Sequence, residues 1–305
     1  DIARKFNIKE ILNDVIYSSD NKDILETLKL IELLNTHKYI LNNMIMRLEI
    51  AIAIEIKYFA LTNFMPIFLE RSFTLEIVDN IITCENVETG EINKKELKQK
   101  YNIPPIKFTG VIDRVDVNGK NISIIDYKSS QSDFSLDSLE LGFISQILTY
   151  ALACELMFDR NSEDILGIFY REIAKLGKDL KTYRLRGLAN SDLILDDEFY
   201  EKAPEIMYVR TTKAKKIHGA DSHKAFTSPE LEKLVNKNLE NIMMLIEKIF
   251  AFDFNLDNYE IKNQYSAEKD TLFNFASNSD TRLSYKEKVN LKSKDLKEKL
   301  LNDLK

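Results

Sequence analysis

The chain has 305 residues, of which 44% are hydrophobic and 30% charged, and its formal net charge is −6 at pH 7. This length allows one large domain with extensions, and the negative charge excludes a protein that binds nucleic acid over its whole surface. No apolar run reaches membrane-spanning length and no secretion signal is visible, so we expect no membrane association. The two cysteines, Cys84 and Cys154, provide no disulfide framework, which is typical of the reducing cytoplasm.

The predicted elements change from helical to mixed along the chain. Apolar residues recur at helical spacing in the first 62 residues, with a long helix over about 41–61. Strands are predicted near 68–78, 107–117, 121–128 and 166–173, and a further strand near 181–188. A helix is predicted over 137–158 and another over 228–250. We therefore expect a helical N-terminal segment over 1–62, an α/β domain over 63–250 and a C-terminal tail over 251–305.

The most informative local pattern is a hairpin. Asn118 and Gly119 separate two apolar-rich runs, and this dipeptide predicts a two-residue type I′ turn. With both residues at the centre of the turn, Asp113 and Asp126 would be diagonal neighbours on one side of the sheet. Lys128 would lie beside them on the same side. Two carboxylates so placed are suited to share one divalent cation, with the lysine as a neighbouring positive charge.

An ordinary alternative exists for this pattern. An acid-x-Lys triplet also occurs elsewhere in the chain, for example at Glu55 and Lys57, where solvated charge is the expected state. Asp126 and Lys128 could likewise be a surface ion pair at a strand end. Their strand is rich in isoleucine, however, and an ionised group on an otherwise apolar face is costly without a partner. The setting therefore favours a site.

The residues around the hairpin also resemble a known family. The stretches 108–116 (Phe-Thr-Gly-Val-Ile-Asp-Arg-Val-Asp) and 124–130 (Ile-Ile-Asp-Tyr-Lys-Ser-Ser), followed by Gln146 and Tyr150, are similar to the PD-(D/E)XK nuclease domain of the RecB/AddB type. The similarity covers about residues 66–156 and is particularly close to the C-terminal part of AddB-like proteins. It implies a restriction-endonuclease-like α/β core, a mixed sheet flanked by helices, with helical N-terminal and C-terminal extensions.

The resemblance also implies roles for individual residues. Asp113 and Asp126 would be metal ligands, and the carbonyl of Tyr127 would complete the coordination. Lys128 would be the catalytic lysine. Glu70 matches the glutamate that precedes the hairpin in the family and would be a further catalytic residue.

Contacts with DNA are expected from two places. Gln146 and Tyr150 match a Gln-x-x-x-Tyr motif associated with DNA contact, and a spacing of four places both on one helix face. The alternative is that Tyr150 belongs to the core and Gln146 is an ordinary satisfied polar residue. The basic stretch 210–224, with Lys213, Lys215 and Lys216, is either a contact for DNA phosphates or a solvated loop.

Two departures from the family affect the cofactors. RecB-type nucleases carry a metal-binding histidine on a helix before the hairpin, whereas the histidine upstream here, His37, lacks the family context. Many AddB proteins hold an iron–sulfur cluster with closely spaced cysteines near the end of the chain, but residues 264–286 contain none. Two cysteines cannot ligate a four-cysteine cluster. We therefore expect Mg²⁺, or Mn²⁺, and no iron–sulfur cluster.

The resemblance implies a metal-dependent DNA exonuclease in double-strand-break repair and recombination. Its substrate would be DNA, as double-strand ends or single strands. The sequence has no Gly-x-x-x-x-Gly-Lys-Ser/Thr loop for ATP, so an AddA-like helicase is the expected partner, in the cytoplasm. The alternative is a weak or inactive DNA-end-binding scaffold protein with a vestigial site, which the missing histidine and cysteines favour.

Overall fold

The computed structural model describes residues 35–140, 142–173, 180–196, 199 and 201–253, with isolated positions among residues 7–31 and 295–302. Most of the predicted helical segment before residue 35 lies outside the described residues. So does most of the predicted tail, including residues 264–286.

In this part of the chain, helices precede, interrupt and follow a long series of strands. In chain order they are α1 (Asn35–Thr62), β1 (Met65–Val78), β2 (Ile81–Glu85), β3 (Ile92–Glu96), β4 (Ile106–Asn118), β5 (Asn121–Lys128), α2 (Leu136–Glu140), α3 (Gln146–Met157), β6 (Ile165–Glu172), β7 (Arg186–Asn190), α4 (Ser191–Ile194), α5 (Ala203–Ile206), β8 (Ala225–Phe226) and α6 (Ser228–Phe250). None of the helices in these ranges is long and apolar enough to cross a membrane.

The strands form one mixed sheet in the order β3-β2-β1-β4-β5-β6-β7-β8. β4 and β5 are antiparallel, β5 and β6 are parallel, and β6 returns antiparallel to β7. A parallel pair needs a crossover connection, which here contains α2 and α3. This mixed sheet with flanking helices confirms the predicted α/β fold class.

The chain divides into two compact units. One comprises the described residues within 1–72, 111–134 and 163–228, and its core cluster includes Tyr58 of α1, Ile125 of β5 and Phe169 of β6. The other comprises the described residues within 73–110, 135–162 and 229–305. In this second unit Asn238 of α6 accepts a hydrogen bond from the backbone N–H of Ser145, at the start of α3.

Several element boundaries differ from the prediction. The helix predicted over 41–61 is confirmed as α1. The helix predicted over 137–158 is instead two helices, because the backbone at Gly142 has a φ of +87°, which a helix does not accommodate. The strand predicted near 181–188 begins at Arg186 and follows a 3₁₀ turn over Leu180–Tyr183. Strand β3 was not predicted, because its sequence Ile-Asn-Lys-Lys-Glu is mostly polar and lies at the sheet edge.

Candidate active site

The β4–β5 hairpin turns one residue later than predicted. Asn118 pairs with Asn121, so Gly119 and Lys120 form the loop. Gly119 has a φ of +59° whereas Asn118 and Lys120 have no positive φ, which fits a type II′ turn with glycine at its first central position. The predicted register was therefore wrong by two residues. A shift of two preserves which side chains share a face, so the predicted faces hold.

The pairing runs as far as Arg114 with Ile125, and the next position places Asp113 opposite Asp126 rather than diagonal to it. There the backbone N–H of Tyr127 donates to Asp113 Oδ2 at 2.7 Å. A carboxylate thus accepts the bond that a backbone carbonyl would take in a regular ladder. This contact holds the Asp113 carboxylate beside the end of β5.

Burial sets the electrostatics of Asp126. Its side chain is 2% exposed, and this desolvation raises its pKa above the ordinary value. The neighbouring Asp113 charge raises the pKa further, while Lys128 lowers it. Lys128 Nζ lies 2.6 Å from Asp126 Oδ2. The ammonium group of Lys128 therefore occupies a position at which the carboxylates attract positive charge.

The donor set at this point suits a hard divalent ion. Asp113 and Asp126 supply carboxylate oxygens, and Tyr127 lies between Asp126 and Lys128 in the sequence. The role of its carbonyl as a ligand stays a prediction. No group of three or more histidine, cysteine, aspartate or glutamate side chains that could hold a metal exists among the described residues. A site with two carboxylates fits Mg²⁺, which keeps several waters and binds through one or two carboxylates plus substrate phosphate.

We call the side of the hairpin that carries Asp113, Asp126 and Lys128 the front face. The other side, the rear face, carries Arg114, Asp116 and Tyr127, because side chains alternate along each strand. The rear face is occupied by a buried network of charges. Arg114 Nε donates to Asp116 Oδ1 at 2.6 Å, and Arg114 Nη1 donates to the Tyr127 hydroxyl, also at 2.6 Å.

Helix α1 completes this network. Glu55 Oε2 accepts from Arg114 Nη1 at 2.8 Å, and Glu55 Oε1 lies 2.8 Å from Nε of Arg171 on β6. Arg171 also donates to the carbonyl of Tyr183. Burial alone would lower the pKa of Arg114, but its bond to Asp116 and the charge of Glu55 outweigh this and raise it. The strand that carries Asp113 is therefore fixed from behind by paired charges.

Glu70 is the other residue predicted to be catalytic. Glu70 is exposed on β1 and has a φ of +49°, a left-handed conformation that is uncommon for glutamate. Within the described ranges it does not join Asp113 and Asp126 in a three-acid group. Its catalytic role stays a prediction.

The predicted DNA contacts are well-defined positions whose roles also stay predictions. Gln146 is exposed at the start of α3, and its Nε2 donates to the Tyr150 hydroxyl at 2.6 Å, so the two share a helix face as predicted. The ring of Tyr150 is 5% exposed and packs edge-on against Phe73 within the second unit. The three lysines of the basic stretch, Lys213, Lys215 and Lys216, are exposed on a tight loop in the first unit.

Sequence reasoning missed the residues that surround the site. Glu55 was considered only as a solvated charge, and its bond to Arg114 joins positions 59 residues apart, which no local pattern reveals. Arg184 and Arg186 alternate with apolar residues just before and within β7. This period of two was a usable signal that both would emerge on one face of an extended segment.

Comparisons with known proteins agree with this geometry. The sequence model described as the PD-(D/E)XK nuclease superfamily matches residues 22–260. A relative from Carboxydothermus hydrogenoformans, named as a subunit of an ATP-dependent helicase/deoxyribonuclease, is 30% identical over 208 residues, which are 59% of this chain and 18% of the relative. Proteins of the same name from Streptococcus suis and Streptococcus pyogenes are each 26% identical, over 50% and 38% of this chain. These matches span 14% and 11% of the two streptococcal proteins. The chain thus matches less than a fifth of the length of each relative.

Proposed function

Because the chain belongs to the PD-(D/E)XK nuclease superfamily, we propose that it hydrolyses DNA phosphodiester bonds with a divalent metal ion, Mg²⁺ or Mn²⁺, held by Asp113 and Asp126. The observation that carries this proposal is the placement of both carboxylates and Lys128 on one face at the end of a buried strand. The Tyr127 carbonyl is the proposed third protein ligand.

The residues of the chain have distinct tasks in this proposal. The ion, when bound, polarises the phosphoryl group and lowers the pKa of a bound water. Tyr127, through its N–H, holds the Asp113 carboxylate in position. Lys128, on release from its pair with Asp126, places its ammonium group near the developing negative charge of the phosphoryl oxygens. Glu70 is a further proposed catalytic residue.

The proposed DNA contacts follow the sequence prediction. Gln146 and Tyr150 form a bonded pair at the start of α3, and we assign them to DNA contact. Lys213, Lys215 and Lys216 offer three exposed ammonium groups for phosphates. Contacts of this kind position the DNA without reading its sequence.

The names of the relatives suggest the biological setting. They are called subunits of an ATP-dependent helicase/deoxyribonuclease, and we propose that this chain acts on DNA ends as part of such a complex, with an AddA-like helicase as partner. Its role would be in double-strand-break repair and recombination in the cytoplasm. No ATP hydrolysis by this chain alone and no iron–sulfur absorbance are expected.

The decisive experiment compares matched aspartate variants on end-labelled linear DNA with Mg²⁺ or Mn²⁺. The wild-type chain should shorten the DNA. The Asp126→Asn variant should not, and adding a chelator to the wild-type chain should also abolish the cleavage. Asp164→Asn is the control, because it removes a carboxylate that pairs with exposed Lys120 at the hairpin turn, away from the proposed ligands. A wild-type chain that binds DNA ends but never cleaves them would instead be the scaffold protein with a vestigial site.

A further inference from the structure

A row of side chains continues the front face beyond the site. Asp126 on β5 pairs with Tyr170 on β6, and Tyr170 pairs in turn with Arg186 on β7. Paired residues in a sheet project from the same side, so these three side chains lie at one level of the front face. Lys128 Nζ lies 5.7 Å from the centre of the Tyr170 ring. The row therefore starts at the site itself.

At the far end of the row, positive charges gather on one aromatic ring. The guanidinium of Arg186 lies 4.0 Å from the centre of the Tyr208 ring, and that of Arg184 lies 4.5 Å away. Lys224 Nζ is 5.9 Å from the same ring. A ring face attracts cations, so Tyr208 holds these groups in place. We call Tyr170, Arg184, Arg186, Tyr208 and Lys224 the basic–aromatic track.

The positive charges of the basic–aromatic track exceed the negative charge of Asp133, which lies beside it. Asp133 accepts from Lys224 at 2.9 Å and lies 3.8 Å from Nη1 of Arg186. One carboxylate thus faces two cations, while Arg184 is held by the carbonyls of Lys181 and Pro204. The single charge of Asp133 cannot neutralise both Arg186 and Lys224, so an anionic ligand would complete the charge balance at this position.

We propose that the basic–aromatic track binds the phosphate backbone of a single DNA strand that enters or leaves the metal site. Arg186 is two strands from Asp126, roughly 10 Å across the sheet, a distance that a neighbouring phosphate of the bound strand can span. Arg186 and Lys224 contact phosphates, and the half-buried ring of Tyr170 lies between them and the site, where an unpaired base can stack. This inference rests on the proposed nuclease function and names how its substrate is held.

The test measures binding without cleavage. A fluorescein-labelled oligothymidylate of about 20 nucleotides is titrated with the Asp126→Asn chain in EDTA, and anisotropy gives the affinity. Adding Arg186→Gln should weaken binding by about tenfold or more, because a charge-assisted hydrogen bond to phosphate is lost. Lys224→Gln should weaken it less, and each change should reduce the salt dependence by about one counterion. Arg186→Lys should recover part of the affinity.

The matched control is Lys120→Gln, which removes an exposed lysine at the hairpin turn, opposite the strand ends that carry the site. Circular dichroism verifies that each variant is folded. If both track variants bind like the control, or if duplex DNA of the same length binds more tightly than the single strand, the inference is overturned.

The outcomes also separate this inference from the nuclease proposal. Cleavage of linear DNA by the wild-type chain, together with unchanged binding in the track variants, refutes the track alone. Loss of binding in the track variants, with no cleavage by the wild-type chain under any divalent metal, supports the track and refutes the nuclease.

Discussion

Both faces of the β4–β5 hairpin carry buried charge, yet they balance it differently. On the rear face, Arg114 and Arg171 meet Asp116 and Glu55, so two positive charges match two negative ones. On the front face, the carboxylate of Asp126 pairs with the ammonium group of Lys128, and the charge of Asp113 lies close enough to raise the pKa of Asp126. The rear face is thus balanced by its own residues, whereas the front-face trio carries one excess negative charge. This difference is consistent with a structural role for the rear face and with the proposed binding of a metal ion at the front face.

The largest effect is expected when the buried charge network of the rear face is disrupted. Arg114→Met should lower the free energy of unfolding by about 3–5 kcal/mol, because Asp116 and Glu55 would lose their buried partner. Lys120→Met is the matched control in the same hairpin, since the Lys120 side chain is largely exposed and its pair with Asp164 should contribute about 1 kcal/mol or less. Urea unfolding followed by circular dichroism measures both. Equal losses would contradict the assignment of the rear face to stability.

The next effect concerns the front face and chemistry. Lys128→Ala should slow DNA cleavage by roughly 100-fold, about 2.7 kcal/mol of activation free energy, because an electrostatic contact to the transition state is removed. Metal binding should persist, since Lys128 supplies no oxygen ligand and its pair with Asp126 competes with the ion. Calorimetric titration with Mn²⁺ checks this. Should Lys128→Ala lose metal affinity as severely as Asp126→Ala, the role given to Lys128 is wrong.

A smaller change tests whether the two faces act independently. Tyr127 contacts residues of both faces. Its side-chain hydroxyl accepts a hydrogen bond from Arg114 on the rear face, and its backbone N–H donates to Asp113 on the front face. Tyr127→Phe removes only the hydroxyl and should cost about 0.5–1.5 kcal/mol of stability. The backbone contact remains, so the cleavage rate should stay close to that of the wild type. A large loss of activity with normal stability would show that the faces are coupled.

The smallest effect is a pH dependence of the front face without metal. Burial raises the pKa of Asp126 in the folded state, so its contribution to stability is fully present below the unfolded pKa and declines as pH rises through the folded value. In EDTA, the stability of Asp126→Asn relative to the wild type should therefore increase as pH rises from below the ordinary aspartate pKa of about 3.9. Urea midpoints across this range measure it. Identical slopes would mean that Asp126 is not perturbed.

The sequence was sufficient to predict which side chains share the front face, but not which residues pair on the rear face. Alternation along two strands placed Asp113 and Asp126 on one side, and this survived a register that was wrong by two because parity was unchanged. The turn itself was misassigned. Asn118-Gly119 is favourable at the centre of a type I′ turn, but glycine is equally favourable at the first central position of the type II′ turn that the structure contains. Local chemistry could not choose between them.

The rear network could not be predicted in the same way. Its members come from α1, β4 and β6, and their pairing depends on how the helix lies on the sheet. A pattern with a period of two or 3.6 says which face a residue occupies, not which distant residue it meets. The split of the predicted 137–158 helix at Gly142 has a simpler origin, because an isolated glycine in a helical pattern weakens the helix prediction without marking an end.

The network of Glu55, Arg114 and Arg171 also limits how the hairpin can be reused in protein engineering. The two ends of this network, Glu55 and Arg171, are 116 residues apart in the chain. If the segment from Ile106 to Lys128 were grafted onto another scaffold, it would bring Arg114 and Asp116 but leave behind the helix and the strand that complete their pairing. A portable version of the site would need an apolar rear face, with hydrophobic residues of similar volume in place of the charges.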